Sequence, residues 1–317
     1  MTKVAIVGAG LIGRAFAMIF ARSGWAVALY DPVDGVAAAT RATCRDGLHG
    51  LAANGLCANP DAAHATITVA STLADALDGA SHVQENGPEN LAVKADIFAQ
   101  LDALASPDAV LASSSSALRC SLFTEGLAGR HRCLIAHPVN PPHLIPLIEL
   151  CGAPWTSPDT IATARATYEA IGQAPITVNR EIDGFVLNRL QGALLTEAFK
   201  LVSEGVVSPA DLDRTVSHGL GRRWAFMGPF QTIELNAPDG VADYCARYSP
   251  FYQRFADGQG GGEVWSSPAM DTVIAAWGEA HRAAEHAAHT SWRDGVLADL
   301  AGRLDAAAVP PPIERED

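Results

Sequence analysis

The stretch VAIVGAGLIGRAF, residues 4–16, constrains the fold more than any other part of the chain. Lys3–Val7 is an apolar, β-prone run and Leu11–Ser23 has helical apolar spacing, so a strand must turn directly into a helix between them. Three glycines occupy that turn, each with a separate task. Gly8 makes the tight turn, Gly10 lets the backbone approach a pyrophosphate, and Gly13 lets helix and strand pack closely. The N–H groups at the helix start, those of Leu11 and Ile12, then face the phosphates with the helix dipole behind them. The next expected strand, Ala26–Tyr30, runs into Asp31, 18 residues beyond Gly13. A carboxylate there accepts hydrogen bonds from adenosine ribose hydroxyls and repels a 2′-phosphate. Pro32, not an arginine, follows it. The stretch predicts a dinucleotide-binding unit that takes NAD rather than NADP.

Further strands are expected at Thr66–Ala70, His82–Asn86, Val110–Ser114, Arg132–His137, Leu147–Cys151 and Pro175–Asn179, with helices such as Leu91–Leu104 between the early ones. That alternation is the pattern of a wound, mostly parallel α/β sheet. After about Asp183 the pattern turns helical, over Phe185–Val206, Ser208–Leu220 and Ser267–Leu304. Ser208, Pro209 and Asp211 together form a helix start: a capping hydroxyl, a proline at the first position and an acid in the first turn. GQGGG at 258–262 reads as a loop and the tail VPPPIERED as a frayed end. A chain of 317 residues holds about two domains. The division expected is 1–183 for the nucleotide-binding half and 184–317 for an all-helical half, with no flexible linker between them.

A formal net charge of −13 argues against nucleic acid as a partner, because neutralising phosphates needs a basic face. Six cysteines without a CxxC pair point away from a zinc site or a disulfide framework and toward a reduced, cytoplasmic setting. The chain enters its first strand at once, with no apolar leader, and no run approaches 18 uncharged apolar residues. Neither secretion nor a membrane span is expected.

The segment AHPVNPPHLIPLIEL, residues 136–150, poses a chemical question. Glu149 stands among Leu147, Ile148 and Leu150, and an ionised carboxylate buried alone there would cost several kcal/mol. It needs a cationic or donor partner. His137 ends the preceding strand, and a proline-rich turn can bring the two together. Glu149 would then orient the imidazole and stabilise its protonated form, leaving the other ring nitrogen to take a proton from an alcohol. Alcohol oxidation by NAD+ removes a hydride from carbon and a proton from oxygen, and the pair supplies the second half. A strand-end histidine also suits a purely structural role, and Glu149 also suits an exposed edge. Contact between them decides which applies.

With LASSSSAL (111–118), DGFVLNRLQ (183–191) and MGPFQTIELN (227–236), this segment resembles the 3-hydroxyacyl-CoA dehydrogenase family. RCLIAHPVNPPHLIPLIEL, GFVLNRLQGALLTEAFKLVSEGVVSPADLD and GLGRRWAFMGP are closer to its lambda-crystallin branch, whose members act as L-gulonate 3-dehydrogenases. The resemblance runs from residue 1 to about residue 250. It implies an N-terminal Rossmann-type NAD-binding domain and a C-terminal helical domain that binds substrate and forms a homodimer. It makes His137 the general base and Glu149 its orienting acid. It assigns Ser116 to the substrate oxygen and the histidine, Asn188 to placement of the reacting group, and Asn140 to the active site. Glu89 and Lys94 become cofactor contacts, although Lys94 taken alone reads as a solvated helix face.

Ser114 stands where thioester-acting members more often carry asparagine, and HPVNPP replaces a bulkier sequence. The basic residues up to Asp75, Lys3, Arg14, Arg22, Arg41 and Arg45, form no dense cluster for CoA. A small free hydroxy acid is the expected substrate. Arg222 and Arg223, beside Trp224 and Phe226, are suited to grip its carboxylate through paired hydrogen bonds. The same stretch resembles bacterial L-carnitine dehydrogenases, in which an aromatic face can meet a quaternary ammonium. A CoA-thioester dehydrogenase and a non-catalytic, crystallin-like NAD-binding protein are the competing readings. Retention of Ser116, His137, Glu149 and Asn188 together speaks against the last.

Overall fold

The computed structural model describes residues 2–256, 258–266, 270–273 and 283–306. Eight strands form one sheet: β1 (Lys3–Val7), β2 (Ala26–Tyr30), β3 (Ile67–Val69), β4 (His82–Glu85), β5 (Val110–Ser113), β6 (Cys133–Pro138), β7 (Leu147–Gly152) and β8 (Ala174–Val178). Their order is β3-β2-β1-β4-β5-β6-β7-β8. The chain runs outward from β1 to β3, then returns across the sheet to β4. The crevice above the ends of β1 and β4 is therefore the topological switch point, where open α/β sheets bind their ligands.

Every neighbouring pair is parallel except β6 and β7. Residues 139–146 are too few to carry a crossover helix, so the chain folds straight back on itself. Elsewhere helices cover both faces, which is why β1, β2 and β5 run largely apolar without alternation. Val4, Ile6, Phe16, Phe20, Leu29 and Leu48 fill one face, and Val7, Val83, Phe98, Leu111 and Ile135 the other. All eight expected strands are present, with ends shifted by a residue or so. The helix after the glycine loop, Leu11–Arg22, buries Gly13 and every residue from Ala15 to Ala21.

The helical part contains Leu187–Ser203, Pro209–Thr215, Gly221–Trp224, Pro229–Glu234 and Gly240–Ala256. Ser208 caps Pro209–Thr215 by accepting from the Asp211 amide at 3.1 Å. The helix expected over Ser208–Leu220 is not continuous, because Val216–Leu220 opens into a π turn. The wide turn brings residue 221 so close that a Cβ there would lie 3.0 Å from the Val216 carbonyl oxygen, and glycine removes the clash. Of the helix expected at Ser267–Leu304, Ala283–Ala306 is described as one helix, while 267–269 and 274–282 lie outside the described residues, as does the tail from 307.

The chain forms two units, Met1–Leu187 with Trp292–Gly302, and Asn188–Ser291 with Arg303–Asp317. The segment Trp292–Gly302 thus departs from a simple division near residue 183. Ala298 and Leu297 pack against the core around Phe16 and Leu48, which ties this stretch of late helix to the first unit. In the second unit Leu190, Phe226, Phe230 and Phe251 are exposed. Among the described residues, no helix is long and apolar enough to cross a membrane.

Candidate active site

The glycine loop has the shape its sequence requires. Gly8 adopts φ +90°, and a Cβ on it would lie 2.8 Å from the Asn86 carbonyl oxygen. A Cβ on Gly13 would run into the Gly8 carbonyl, whereas one on Gly10 would meet nothing within 4 Å. Two glycines are therefore demanded by packing, and the third leaves the backbone open to an incoming group. The first helical bond runs from Arg14 N–H to the Gly10 carbonyl at 2.9 Å, so the N–H groups of Leu11 and Ile12 precede the helix ladder. Leu11 is exposed and Ile12 half-buried.

Asp31 follows β2 and ties two loops together. One oxygen accepts from the Ala9 N–H at 2.8 Å, the other from the Val33 N–H at 2.9 Å. Thr40 donates to the Ala9 carbonyl at 2.7 Å, fixing the glycine loop from its other side. A cavity of about 450 Å³ adjoins Asp31, lined also by Tyr30, Gly35, Val69 and Ala70. The open backbone at Gly10, the amides at the helix start and this cavity fit the pyrophosphate and adenosine of a dinucleotide.

The antiparallel return of β7 pairs His137 with Glu149 in register, which puts both side chains on one face. His137 Nδ1 lies 2.8 Å from Glu149 Oε2, and both residues are buried. The second carboxylate oxygen accepts from the Val186 and Leu187 amides at 2.9 and 3.0 Å. Those amides are delivered by a turn in which Gly184 and Phe185 both have positive φ, +79° and +47°. An aromatic residue rarely adopts this conformation. Here the Phe185 ring is fully buried and lies 5.4 Å from the His137 ring, so packing holds it there. Burial alone would raise the Glu149 carboxyl. The hydrogen bonds from His137, Leu187 and Val186 outweigh it, and the carboxyl sits below its ordinary value. A carboxylate only accepts, so Nδ1 carries the ring proton and Nε2 is left as the acceptor.

Residues 3–182 match the model for the NAD-binding domain of 3-hydroxyacyl-CoA dehydrogenase, and 184–285 match its C-terminal domain. The chain belongs to the 3-hydroxyacyl-CoA dehydrogenase family. It is an NAD-dependent oxidoreductase acting on a hydroxyl group. Lambda-crystallin of Oryctolagus cuniculus is 44% identical over 303 residues, covering 94% of this chain and 95% of that protein. An L-carnitine dehydrogenase of Pseudomonas putida is 35% identical over 247 residues, covering 78% and 76%. Among solved structures, 5-formyl-3-hydroxy-2-methylpyridine 4-carboxylic acid 5-dehydrogenase, an NAD+-dependent dismutase, superposes with a TM-score of 0.83 at 29% identity, covering 96% of this chain and 99% of that one.

In this member of the family the four serines 113–116, the first of which ends β5, have four different surroundings. Ser113 donates to Glu85 at 2.6 Å, and Ser114 donates to Asn86 at 2.6 Å while accepting from Gln84 at 2.8 Å. Ser115 reaches Glu89, and Ser116 is exposed. Glu89 Oε1 also accepts from the Ala117 and Leu118 amides at 2.9 and 3.0 Å. Burial works to raise the Glu89 carboxyl, but the Ser115 hydroxyl, these two amides and the charge of Lys94 bring it below its ordinary value.

Lys94 corrects the reading of that residue as part of a solvated helix face. It is 1% exposed, and its ammonium reaches both oxygens of the fully buried Glu85, at 3.0 and 2.9 Å, and the Gly87 carbonyl at 3.2 Å. All three ammonium protons are thus spoken for. The helix Leu91–Leu104 lies against the sheet along the side that carries Lys94, Phe98 and Leu101, so the lysine follows the apolar stripe inward. Glu85 escaped the sequence reading. The signal was present, since Glu85 interrupts a buried strand just as Glu149 does and demands a partner by the same argument.

Asn140 is exposed in the loop after β6. Asn188 is half-buried at the second position of the helix Leu187–Ser203, and Arg222, Arg223 and Trp224 are exposed on Gly221–Trp224. These four residues belong to the second unit.

Proposed function

We propose that this enzyme oxidises the 3-hydroxyl of a small hydroxy acid with a free carboxylate, of the L-gulonate type, with His137 as general base. The observation that carries the reading is the 2.8 Å bond between His137 Nδ1 and Glu149, which leaves Nε2 as the proton acceptor. Gly8, Gly10, Gly13, Asp31 and the amides of Leu11 and Ile12 would hold the cofactor, which supplies a hydride acceptor when bound. His137 Nε2 takes the hydroxyl proton as the hydride leaves carbon. Glu149 stabilises the imidazolium so formed, and the Val186 and Leu187 amides keep that carboxylate from rotating away. Ser116 and Asn188 orient the reacting oxygen, Asn140 lines the site, and Arg222 or Arg223 grips the carboxylate. The resemblance supports the roles of Ser116, Asn188 and Asn140, and the fit of a guanidinium to a carboxylate supports that of the arginines.

L-carnitine is the second reading. It is favoured by the carnitine dehydrogenase among the relatives and by the exposed Trp224 and Phe226, whose rings offer faces for a quaternary ammonium. The deciding experiment follows NADH absorbance with L-gulonate, L-carnitine and 3-hydroxybutyrate, and in reverse with acetoacetyl-CoA. The expected result is the highest kcat/KM on L-gulonate. A clear preference for acetoacetyl-CoA would overturn the free-acid reading, and NAD binding without any turnover would leave a nucleotide-binding protein. A cytoplasmic homodimer is the assembly we expect, with the exposed apolar residues of the second unit supporting association; sedimentation velocity checks it.

A further inference from the structure

The loop that carries Ser116 leaves the end of β5 and has no regular structure until Ser121. A hydroxyl meant to meet a substrate oxygen must be held to within a fraction of an ångström, and an unrestrained loop does not do that. The restraint comes from the neighbouring strand. β4 lies beside β5, with Glu85 paired to Ser113, and the turn after β4 leads to Glu89. Glu89 is itself well anchored. It stands between Pro88 and Asn90; the Asn90 N–H returns to the Pro88 carbonyl at 2.8 Å, and the Asn90 side chain caps the following helix by accepting from Val93 N–H at 3.1 Å.

From that fixed point one carboxylate oxygen gathers the serine loop. It meets the Ser115 hydroxyl, the Ala117 N–H and the Leu118 N–H. The Ser115 hydroxyl also accepts from Leu118 N–H at 2.9 Å, closing the loop on itself. The residues on either side of Ser116 are thus tied to the same atom. We propose that Glu89 is a positioning residue for Ser116, holding the loop on both sides of the hydroxyl that meets the substrate. This inference rests on the role given to Ser116 above.

Glu89 is exposed, so replacing it buries no orphaned charge and the variant should fold. Hydrogen exchange on the full chain reads the loop without any substrate. In Glu89→Ala the Ala117 and Leu118 amides should exchange faster than in the parent, and Glu89→Gln, whose carbonyl accepts the same bonds, should restore most of the protection. On the best of the three hydroxy acids kcat should fall about 10- to 100-fold, the scale of a small misplacement at a reacting centre, and by more than any loss of NAD+ affinity titrated by fluorescence. Combining Glu89→Ala with Ser116→Ala should cost little more than Ser116→Ala alone, because the two act as one unit. Unchanged exchange at 117 and 118, or weakened NAD+ binding with kcat preserved, or fully additive losses, would each overturn the proposal. Normal turnover in Ser116→Ala with a loosened loop in Glu89→Ala would also overturn it, and would place the fault in the role given to Ser116.

Discussion

Glu149 is charged at a position where burial disfavours charge, and what offsets that cost is specific: one imidazole N–H and two backbone amides. Two outcomes belong to this pair. His137→Gln should lower turnover by at least about 100-fold, the scale of a lost general base, with NAD+ affinity nearly intact; steady-state kinetics beside an NAD+ titration would read both. The second concerns acid stability. The folded carboxyl titrates below its ordinary value of 4.5, so it contributes stability that is complete above that value and is lost as pH falls through the folded value. Glu149→Gln removes that titration. Its melting temperature should start lower at neutral pH and fall less steeply than the parent's below pH 4.5, as differential scanning fluorimetry across a pH series would show.

At the scale of the element, the glycine loop separates packing from binding. A Cβ on Gly13 meets backbone that cannot yield, so Gly13→Ala should destabilise by at least about 1–3 kcal/mol. A Cβ on Gly10 meets only open space, so Gly10→Ala should keep its melting temperature within about 2 °C. It should nonetheless weaken NAD+ binding by about 10-fold or more, because the added methyl stands where a pyrophosphate must approach the backbone. Thermal melts and NAD+ titrations of the two variants would test the contrast. Equal effects on both measurements would mean that the glycines do not divide their work this way. The β6–β7 return makes a related point. Its polarity follows from a short, proline-bearing link, and the strand register it imposes is what brings histidine to glutamate.

For the whole molecule, the first unit includes a late segment of the chain, Trp292–Gly302. Ala298, 6% exposed, faces that unit's core, so Ala298→Asp should cost about 2 kcal/mol or more and lower the melting temperature by roughly 4–8 °C. A melt unchanged by the substitution would argue that this segment adds little to the unit. The wound sheet, the glycine cradle and Asp31 were legible in the sequence because each depends on local patterning: apolar runs, a turn that only glycine permits, and an acid at a fixed spacing. The need of Glu149 for a partner was legible too, from the cost of burying a charge. His137 was the partner the sequence offered, but the contact between the two, the amides of Val186 and Leu187, the ion pair of Lys94 with Glu85 and the grip of Glu89 on the serine loop were decided only by the tertiary structure. Each joins residues from different strands or turns, and such contacts depend on sheet order and register, which no local stretch encodes.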